Sequence, residues 1–223
     1  MNAEIESLSK KITPERFEKM LRVSANRTRK ITVVLEDIYQ AHNAAAVLRN
    51  CDAFGIQDAV FIENKYVARI SGSVDMGASK WMTLRRFVCP EAVVPKNGIA
   101  QKHIVSKAAE ENTLRAIADL RSRGYSIVAS TLREGVGGIS EVPVDRPLAL
   151  MIGTELTGLS QVAHENADFL FSFPMSGFAQ SFNLSVFSAL CLSDLSRRMR
   201  ALDDSWKLSE REREALLLEW LSR

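Results

Sequence analysis

Short apolar runs alternate with longer segments in which apolar residues recur at helical spacing. The helical segments lie near residues 44–54, 110–123, 156–166 and 183–200. Alternation of this kind is typical of an α/β domain with a mostly parallel sheet flanked by helices. The predicted strands are Ile31–Glu36, Asp58–Ile62, Thr83–Val88, Ser126–Ser130, Leu148–Ile152 and Asp168–Phe173.

Both ends of the chain predict amphipathic helices outside this alternation. Thr13 is a typical N-cap, and Pro14 suits the first helical position. Near the other end, Ser209 and Glu212 form a capping-box pattern before a final apolar stripe. We therefore predict a helical extension over 1–30, a main domain over 31–200 and a C-terminal helix over 201–223.

The composition is that of an ordinary globular domain and excludes a strongly cationic protein. The chain has 223 residues, of which 46% are hydrophobic and 25% charged, and its formal net charge is only +2. A nucleic-acid surface would therefore have to come from local clustering. A run of basic residues is usually a solvated face, but the strongest cluster is also a candidate RNA contact and comprises Arg22, Arg27, Arg29 and Lys30.

The cysteines and histidines predict no metal site, because none of them has metal-ligand spacing. The polar start MNAEIESLSKK lacks the apolar core of a signal peptide, and no apolar stretch is long enough to cross a bilayer. We therefore expect a cytoplasmic protein without a membrane partner. The residues concerned are Cys51, Cys89, Cys191, His42, His103 and His164.

Residues 171–190 combine an apolar strand, a Pro-Met turn and the triplet Ser181, Phe182 and Asn183 before a long apolar helix. In the simplest interpretation one of the two polar residues caps that helix. The same layout also places free backbone donors at the mouth of an apolar pocket, where a ligand can bind.

Two further segments carry polar residues at element ends. Asn43 is expected to cap a helix on which Arg49 lies opposite the apolar face, either in solvent or in a site. After the strand that ends at Ile152, Gly153 permits close approach of another segment. Glu155 is expected in the first turn of a helix, where a carboxylate complements the helix dipole.

These three segments together resemble the SpoU/TrmH-like class of SPOUT RNA methyltransferases. The class carries the motif N-x-x-A-x-x-R, matched by Asn43–Arg49, and the motif G-x-E-x-x-G, matched by Gly153–Gly158. Its third motif, P-M-x-G-x-x-x-S-x-N-x-S-V, is matched by Pro174–Val186. The resemblance covers about residues 31–195 and is strongest to the tRNA guanosine 2′-O-methyltransferase branch.

The resemblance implies a C-terminal trefoil knot, a homodimer, S-adenosylmethionine as cofactor, and methyl transfer to a ribose 2′-OH of RNA. A guanosine in the D-loop of tRNA is the expected target. By the same resemblance the cofactor-binding residues are Ser130, Ile152, Gly153, Phe173, Met175 and Phe182. The catalytic and RNA-end residues carried over are Asn43, Arg49, Glu155, Ser181 and Asn183.

The chemistry of the guanidinium group limits the role that Arg49 can have in methyl transfer. A guanidinium is a poor base because it hardly ever loses a proton in proteins. We therefore expect Arg49 to bind a neighbouring RNA phosphate and to stabilise the developing alkoxide, with the phosphate or water taking the proton. Glu155 and Asn183 are expected to organise the loops, whereas Ser181 and Asn43 hold either Arg49 or the ribose.

Three alternative functions differ in the motifs that they require. A dinucleotide oxidoreductase would place G-x-G-x-x-G after the first strand, but no glycine follows that strand before Gly55. A ribosomal-RNA methyltransferase shares every motif, and a non-catalytic RNA-binding protein would keep only the basic residues.

The sequence departs from the class in two places. The segment Pro90–Lys107 is longer than the class leads us to expect and forms either a hairpin or a loop. The aromatic Phe173 and Phe182 replace the usual aliphatic residues.

Overall fold

A computed structural model describes residues 3–68, 70, 75–93, 106–133 and 135–223. Its central element is a six-stranded parallel sheet with the strand order β3-β2-β1-β5-β4-β6. The strands are β1 Thr28–Glu36, β2 Ile56–Glu63, β3 Thr83–Val88, β4 Ser126–Ser130, β5 Leu148–Ile152 and β6 Phe169–Phe171. The helices are α1 Ala3–Ser9, α2 Pro14–Ser24, α3 Ala41–Ala53, α4 Lys107–Ser122, α5 Gln161–Glu165, α6 Leu184–Leu202 and α7 Glu210–Leu221, with 3-10 turns at Ala78–Trp81, Ile139–Glu141 and Asp204–Trp206.

Alternate residues of each central strand enter two different cores, as the period of a strand requires. Val33 and Leu35 pack with α3 and α6 on one face, whereas Val34 packs with α4 and α5 on the other. Burial on both faces explains why β5, Leu148–Ile152, is apolar throughout. The α/β class and the flanking helices predicted from the sequence are confirmed.

A third core joins the two ends of the chain. Ile5, Met20 and Trp220 are buried together, so α1 and α2 pack against α7. The Trp220 ring meets Trp81 edge-on at 5.7 Å, and its Nε1 donates to the Trp81 carbonyl oxygen at 3.2 Å. The terminal extensions therefore form one helical unit attached beside the sheet, which their separate sequence patterns did not indicate. Thr13 and Ser209 cap α2 and α7 as predicted.

Several predicted boundaries were wrong. β1 begins at Thr28 because its amide donates to the Gly55 carbonyl oxygen at 2.8 Å, although the polar start of the strand hides this. β6 is shorter than predicted because the amide of Ser172 turns away to the Gly137 carbonyl oxygen. Helix α1 was not predicted. The questions raised by residues 90–107 fall largely on 94–105, outside the described residues.

Candidate active site

A cavity of about 480 Å³ opens beyond the carboxyl ends of β4, β5 and β6. This edge of an open parallel sheet is where ligands of α/β proteins bind. Its lining contains each residue predicted to contact the cofactor, namely Ser130, Ile152, Gly153, Phe173, Met175 and Phe182. Segments far apart in sequence therefore meet around one cavity of a size that suits a small cofactor.

Aromatic rings form the apolar wall of the cavity. Phe173 meets Phe182 edge-on with 6.2 Å between ring centroids, and it meets Phe187 edge-on at 5.5 Å. Phe187 in turn stacks on the buried Phe171 at 6.0 Å. These geometries are favourable for aromatic pairs and fix the rings relative to one another. The wall therefore offers a rigid apolar surface to a planar base.

Residues 153–160, which we call the floor loop, contribute Gly153 to Leu159 to the lining of the cavity. A Cβ placed on Gly153 would lie 2.1 Å from the carbonyl carbon of Gly158, so no side chain fits there. Gly158 has a positive φ of 65°, and its amide donates to the Thr154 carbonyl oxygen at 2.9 Å. The close approach predicted for Gly153 is thus an approach of the loop to itself.

Glu155 holds the floor loop to two other segments through one carboxylate oxygen. Its Oε1 accepts from the Asn43 side-chain amide at 3.3 Å and from the Asn183 side-chain amide at 3.1 Å. The same oxygen accepts from the backbone amide of Leu184 at 3.0 Å. We call Asn43, Glu155 and Asn183 the polar hub, and it joins one residue from each of the three sequence motifs.

Two of the predicted positions in the polar hub were wrong in detail. Glu155 lies in a turn rather than in the first turn of a helix, because α5 begins only at Gln161. Asn43 is not the N-cap of α3, since Gln40 occupies that position and the buried Asn43 side chain points to Glu155. Asn183 does cap α6, and its side chain accepts from the Ser185 amide at 3.0 Å.

The remaining catalytic candidates are more open. Ser181 is exposed and lines the cavity. Arg49 lies on the exposed face of α3, as its spacing predicted, and it is absent from the cavity lining. Within the described residues its side chain makes no hydrogen bond or ion pair. The structure therefore brings Asn43, Glu155 and Asn183 together directly and leaves the Arg49 guanidinium available to an external group.

Sequence reasoning missed several lining residues. His164 of α5 lines the cavity, and its Nε2 lies 3.1 Å from the Ser130 carbonyl oxygen. Gln180 and Thr154 also line it. The available signal was positional, because most of the missed residues follow the carboxyl end of a strand. The others that line the cavity are Thr131, Leu132, Arg133, Leu156, Thr157, Gly158, Leu159 and Leu184.

The basic cluster divides into buried and accessible members. Arg27 is 1% exposed, pairs with Asp52 and donates to the Ile56 carbonyl oxygen. The expectation that Arg27 contacts RNA is therefore not supported, because the side chain belongs to the core. Arg22 is exposed, whereas Arg29 pairs with Asp58, and Lys30 donates to the Ser205 hydroxyl at 3.2 Å.

The part of the chain that is described can be compared with the requirements of a metal site, a membrane span and a reactive thiol at Cys51. It contains no group of histidine, cysteine or acidic side chains able to hold a metal ion. It also contains no helix of the length and apolarity needed to span a bilayer. Burial raises the pKa of the Cys51 thiol to about 12, so this thiol stays protonated.

Comparisons with known proteins agree with this geometry. Residues 88–193 match the model of the SpoU rRNA Methylase family. A tRNA (guanosine(18)-2′-O)-methyltransferase of Borreliella burgdorferi is 33% identical over 213 residues, covering 96% of this chain and 87% of that protein. The crystal structure of the A. aeolicus TrmH/SpoU tRNA modifying enzyme has a TM-score of 0.74 and 26% identity, covering 93% of this chain and 95% of that one.

A more distant structure has the same fold. The SpoU methyltransferase AviRb from Streptomyces viridochromogenes, solved in complex with the cofactor AdoMet, has a TM-score of 0.54 at 18% identity, covering 81% of this chain and 62% of that one. A parallel sheet with a cavity at its carboxyl edge is the arrangement of a ligand-binding α/β protein, and the likeness in structure shows that the fold is that of the SpoU methyltransferases. The extent of the likeness to the tRNA enzyme shows that the chain belongs to the SpoU/TrmH methyltransferase family.

Proposed function

We propose that this chain methylates the ribose 2′-OH of a guanosine in the D-loop of tRNA, with S-adenosylmethionine as the methyl donor. In its broader form this is the activity of the family: the chain is an S-adenosylmethionine-dependent RNA ribose 2′-O-methyltransferase. The choice of tRNA and of a D-loop guanosine is the proposal, and the Borreliella burgdorferi relative supports it.

The observation that carries the proposal is the position of the polar hub beside the aromatic wall. Glu155 and Phe182 line the same cavity, so a nucleoside held by the wall lies next to residues from the other two motifs. The cavity also combines apolar surface with a few polar groups, such as Ser130 and Ser181, which suits an adenosine-containing cofactor.

The cofactor supplies an electrophilic methyl group on a positively charged sulfur, so the carbon–sulfur bond breaks as the carbon–oxygen bond to the ribose forms. Phe173 and Phe182 offer the cofactor an apolar surface in this region. The polar hub keeps the floor loop and the start of α6 in one arrangement, so that little reorganisation is needed during reaction.

Arg49 acts on the RNA. Its guanidinium binds a phosphate beside the target ribose and stabilises negative charge as the 2′-oxygen loses its proton. The proton passes to that phosphate or to water, because the guanidinium itself stays charged. Ser181, which is exposed at the cavity, orients the ribose or the Arg49 side chain. The buried Asn43 instead acts through Glu155 in the polar hub.

We also propose that the chain forms a homodimer through an exposed apolar face of α6. Val186 and Leu190 are spaced along one face of α6 and are 48% and 40% exposed, and Phe178 is fully exposed nearby in sequence. Apolar side chains in such an arrangement are typical of a surface that associates. A second copy covering this face would remove these apolar side chains from water. Sedimentation of the purified chain, compared with that of a Leu190→Lys variant, tests this association.

The trefoil knot and the location in the cell are also proposals. The knot is proposed from the resemblance to the family alone. A cytoplasmic location fits an enzyme that acts on tRNA, because its substrate is found there. We also propose the domain limits 1–30, 31–200 and 201–223 from the sequence, with the main domain extended to include the start of β1 at Thr28 and the end of α6 at Leu202.

The test is incubation of the purified chain with methyl-labelled cofactor and separate pools of unmodified tRNA and ribosomal RNA. The proposal expects label in tRNA. Label confined to ribosomal RNA would refute the substrate, and label in neither pool would favour the non-catalytic function.

A further inference from the structure

A buried carboxylate lies behind the floor loop and has no place in the mechanism above. Glu36 is the last residue of β1 and is 2% exposed. Its Oε2 accepts from the Ser160 amide at 2.7 Å, and its Oε1 accepts from the Ser160 hydroxyl at 2.8 Å. Thr113 of α4 donates its hydroxyl to the same Oε1 at 3.0 Å.

A carboxylate in this position needs each of these donors. Desolvation raises the pKa of the Glu36 carboxyl, while the hydrogen bonds from Ser160 and Thr113 favour its charged form. A buried charge is costly unless hydrogen bonds compensate for the lost water. The three donors therefore bind Glu36 tightly, and the two donors of Ser160 attach one end of the floor loop to the sheet.

Ser160 connects this carboxylate to the cavity in two directions. Before it, Leu159 lines the cavity, and Gly158 makes the close approach to Gly153. After it, α5 begins with Ser160 as N-cap and carries His164, which lines the cavity. A shift of Ser160 would therefore move two parts of the cavity lining, namely Leu159 of the floor loop and His164 of α5.

We propose that Glu36 is a positioning residue for the cofactor, which acts by holding Ser160 and thereby fixing the floor loop against the end of β5. The inference rests on the proposed function in that S-adenosylmethionine is the ligand. Glu36 touches no reacting atom. Its effect is on the affinity for the cofactor rather than on the transfer step.

Thr113 provides a matched control. Its hydroxyl donates to the same oxygen of Glu36 as the Ser160 hydroxyl does, but its other contact leads away from the cavity, to the Asn64 side-chain amide at 2.8 Å. Ser160→Ala and Thr113→Val each remove one hydroxyl donor from Glu36, and Ser160→Ala also removes the acceptor of the Ala163 amide at the start of α5, so the double variant with Glu36→Gln isolates the shared hydrogen bond. Only the first of these changes lies on the floor loop.

The experiment measures S-adenosylmethionine binding by calorimetry for the full chain and for Glu36→Gln, Ser160→Ala and Thr113→Val. An amide at Glu36 cannot accept from all three donors, so we expect about tenfold weaker binding. Ser160→Ala should weaken binding about fivefold and Thr113→Val by less than about twofold. Thermal unfolding of the same samples shows whether stability changes in parallel.

Steady-state kinetics separates positioning from a general loss of folded protein. Glu36→Gln should raise the KM for the cofactor and keep kcat at saturating cofactor, whereas partial unfolding lowers kcat and leaves KM unchanged. In the double variant Glu36→Gln with Ser160→Ala, the loss of affinity should be smaller than the sum of the single losses.

Each outcome is decisive. Unchanged affinity in Glu36→Gln and Ser160→Ala, or equal losses in Ser160→Ala and Thr113→Val, would overturn the inference. If Glu36→Gln does not fold, the comparison of Ser160→Ala with Thr113→Val still decides. Failure of the unmodified chain to bind S-adenosylmethionine would instead count against the proposed function.

Discussion

The cavity and the exposed face of α3 differ in how completely one chain builds them. Around the cavity, the rings of Phe173 and Phe182 contact each other, and Glu155 joins the floor loop to α6. On α3, the Arg49 side chain is exposed and makes no hydrogen bond or ion pair within the described residues. The chain therefore fixes the cofactor side in advance and leaves the RNA side open.

This difference teaches that motif residues of one site can have opposite requirements. Residues that shape the cavity need fixed partners, because a loose site loses affinity and alignment. A residue that binds a phosphate must stay solvated until the RNA supplies its partner. Burial alone therefore does not identify the catalytic residues of this chain.

The largest expected effect comes from removing the open charge. Arg49→Ala should lower kcat about 100- to 1,000-fold, because the developing alkoxide loses its electrostatic stabilisation. Cofactor affinity should stay within about twofold, because Arg49 does not line the cavity. Single-turnover transfer of labelled methyl and calorimetry measure the two quantities.

Arg146→Ala is a control for this change, since it also removes an exposed arginine and should leave kcat unaltered. Near-normal turnover of Arg49→Lys would show that the planar guanidinium is unnecessary. That result would contradict the phosphate-binding role.

The basic cluster offers the next test, because two of its arginines have different environments. Arg27→Ala should lower the free energy of unfolding by about 3 kcal/mol, since it removes a buried side chain from its contact with Trp220 and from its hydrogen bond to the Ile56 carbonyl oxygen. Chemical denaturation measures this change. The exposed Arg22 is the matched comparison, and Arg22→Ala should leave stability unchanged and weaken tRNA binding. Equal stability of the two variants would contradict the assignment of Arg27 to the core and of Arg22 to the surface.

Within the cavity, Gly153→Ala tests the close approach of the floor loop. The new Cβ would lie 2.1 Å from the Gly158 carbonyl carbon, so the loop must move. We expect cofactor affinity to fall by about 2 kcal/mol, or about 30-fold, in a calorimetric titration. Gly138→Ala is the control, because its Cβ would be 3.7 Å from the nearest atom. Retained affinity in Gly153→Ala would show that the loop adapts.

A smaller effect is expected at the polar hub. Glu155→Ala leaves the amides of Asn43, Asn183 and Leu184 without their acceptor and should weaken cofactor binding about tenfold. Glu155→Gln keeps an oxygen that can accept from them and should stay within about threefold. Equal losses in both variants would mean that charge, rather than the shared acceptor, maintains the hub.

The sequence predicted the fold well because the central strands β1, β2 and β5 are mostly buried on both faces. β3, β4 and β5 have the predicted limits, and the ends that differ are those where a polar strand start or a turning amide departs from the apolar pattern, as at Thr28 and Ser172. The contact of α1 with α7 could not be predicted, because amphipathic stripes show that a face is covered but not what covers it.

The site was predictable only in part. Every residue that the family resemblance assigns to the cofactor lines the same cavity. It could not assign Asn43 to the polar hub, since a buried amide within a helix has the same sequence pattern as a cap. Nor could it separate the buried Arg27 from the exposed Arg22, because a run of charges carries no information about a distant Asp52 or Trp220.

The central claim is that the open side of the site acts on a ribose 2′-oxygen of tRNA. It is tested most directly with two tRNA transcripts that differ only in a 2′-deoxy substitution at the D-loop guanosine, each incubated with methyl-labelled cofactor. The account predicts label in the ribose transcript and none in the deoxy transcript. Equal labelling of both transcripts would contradict it.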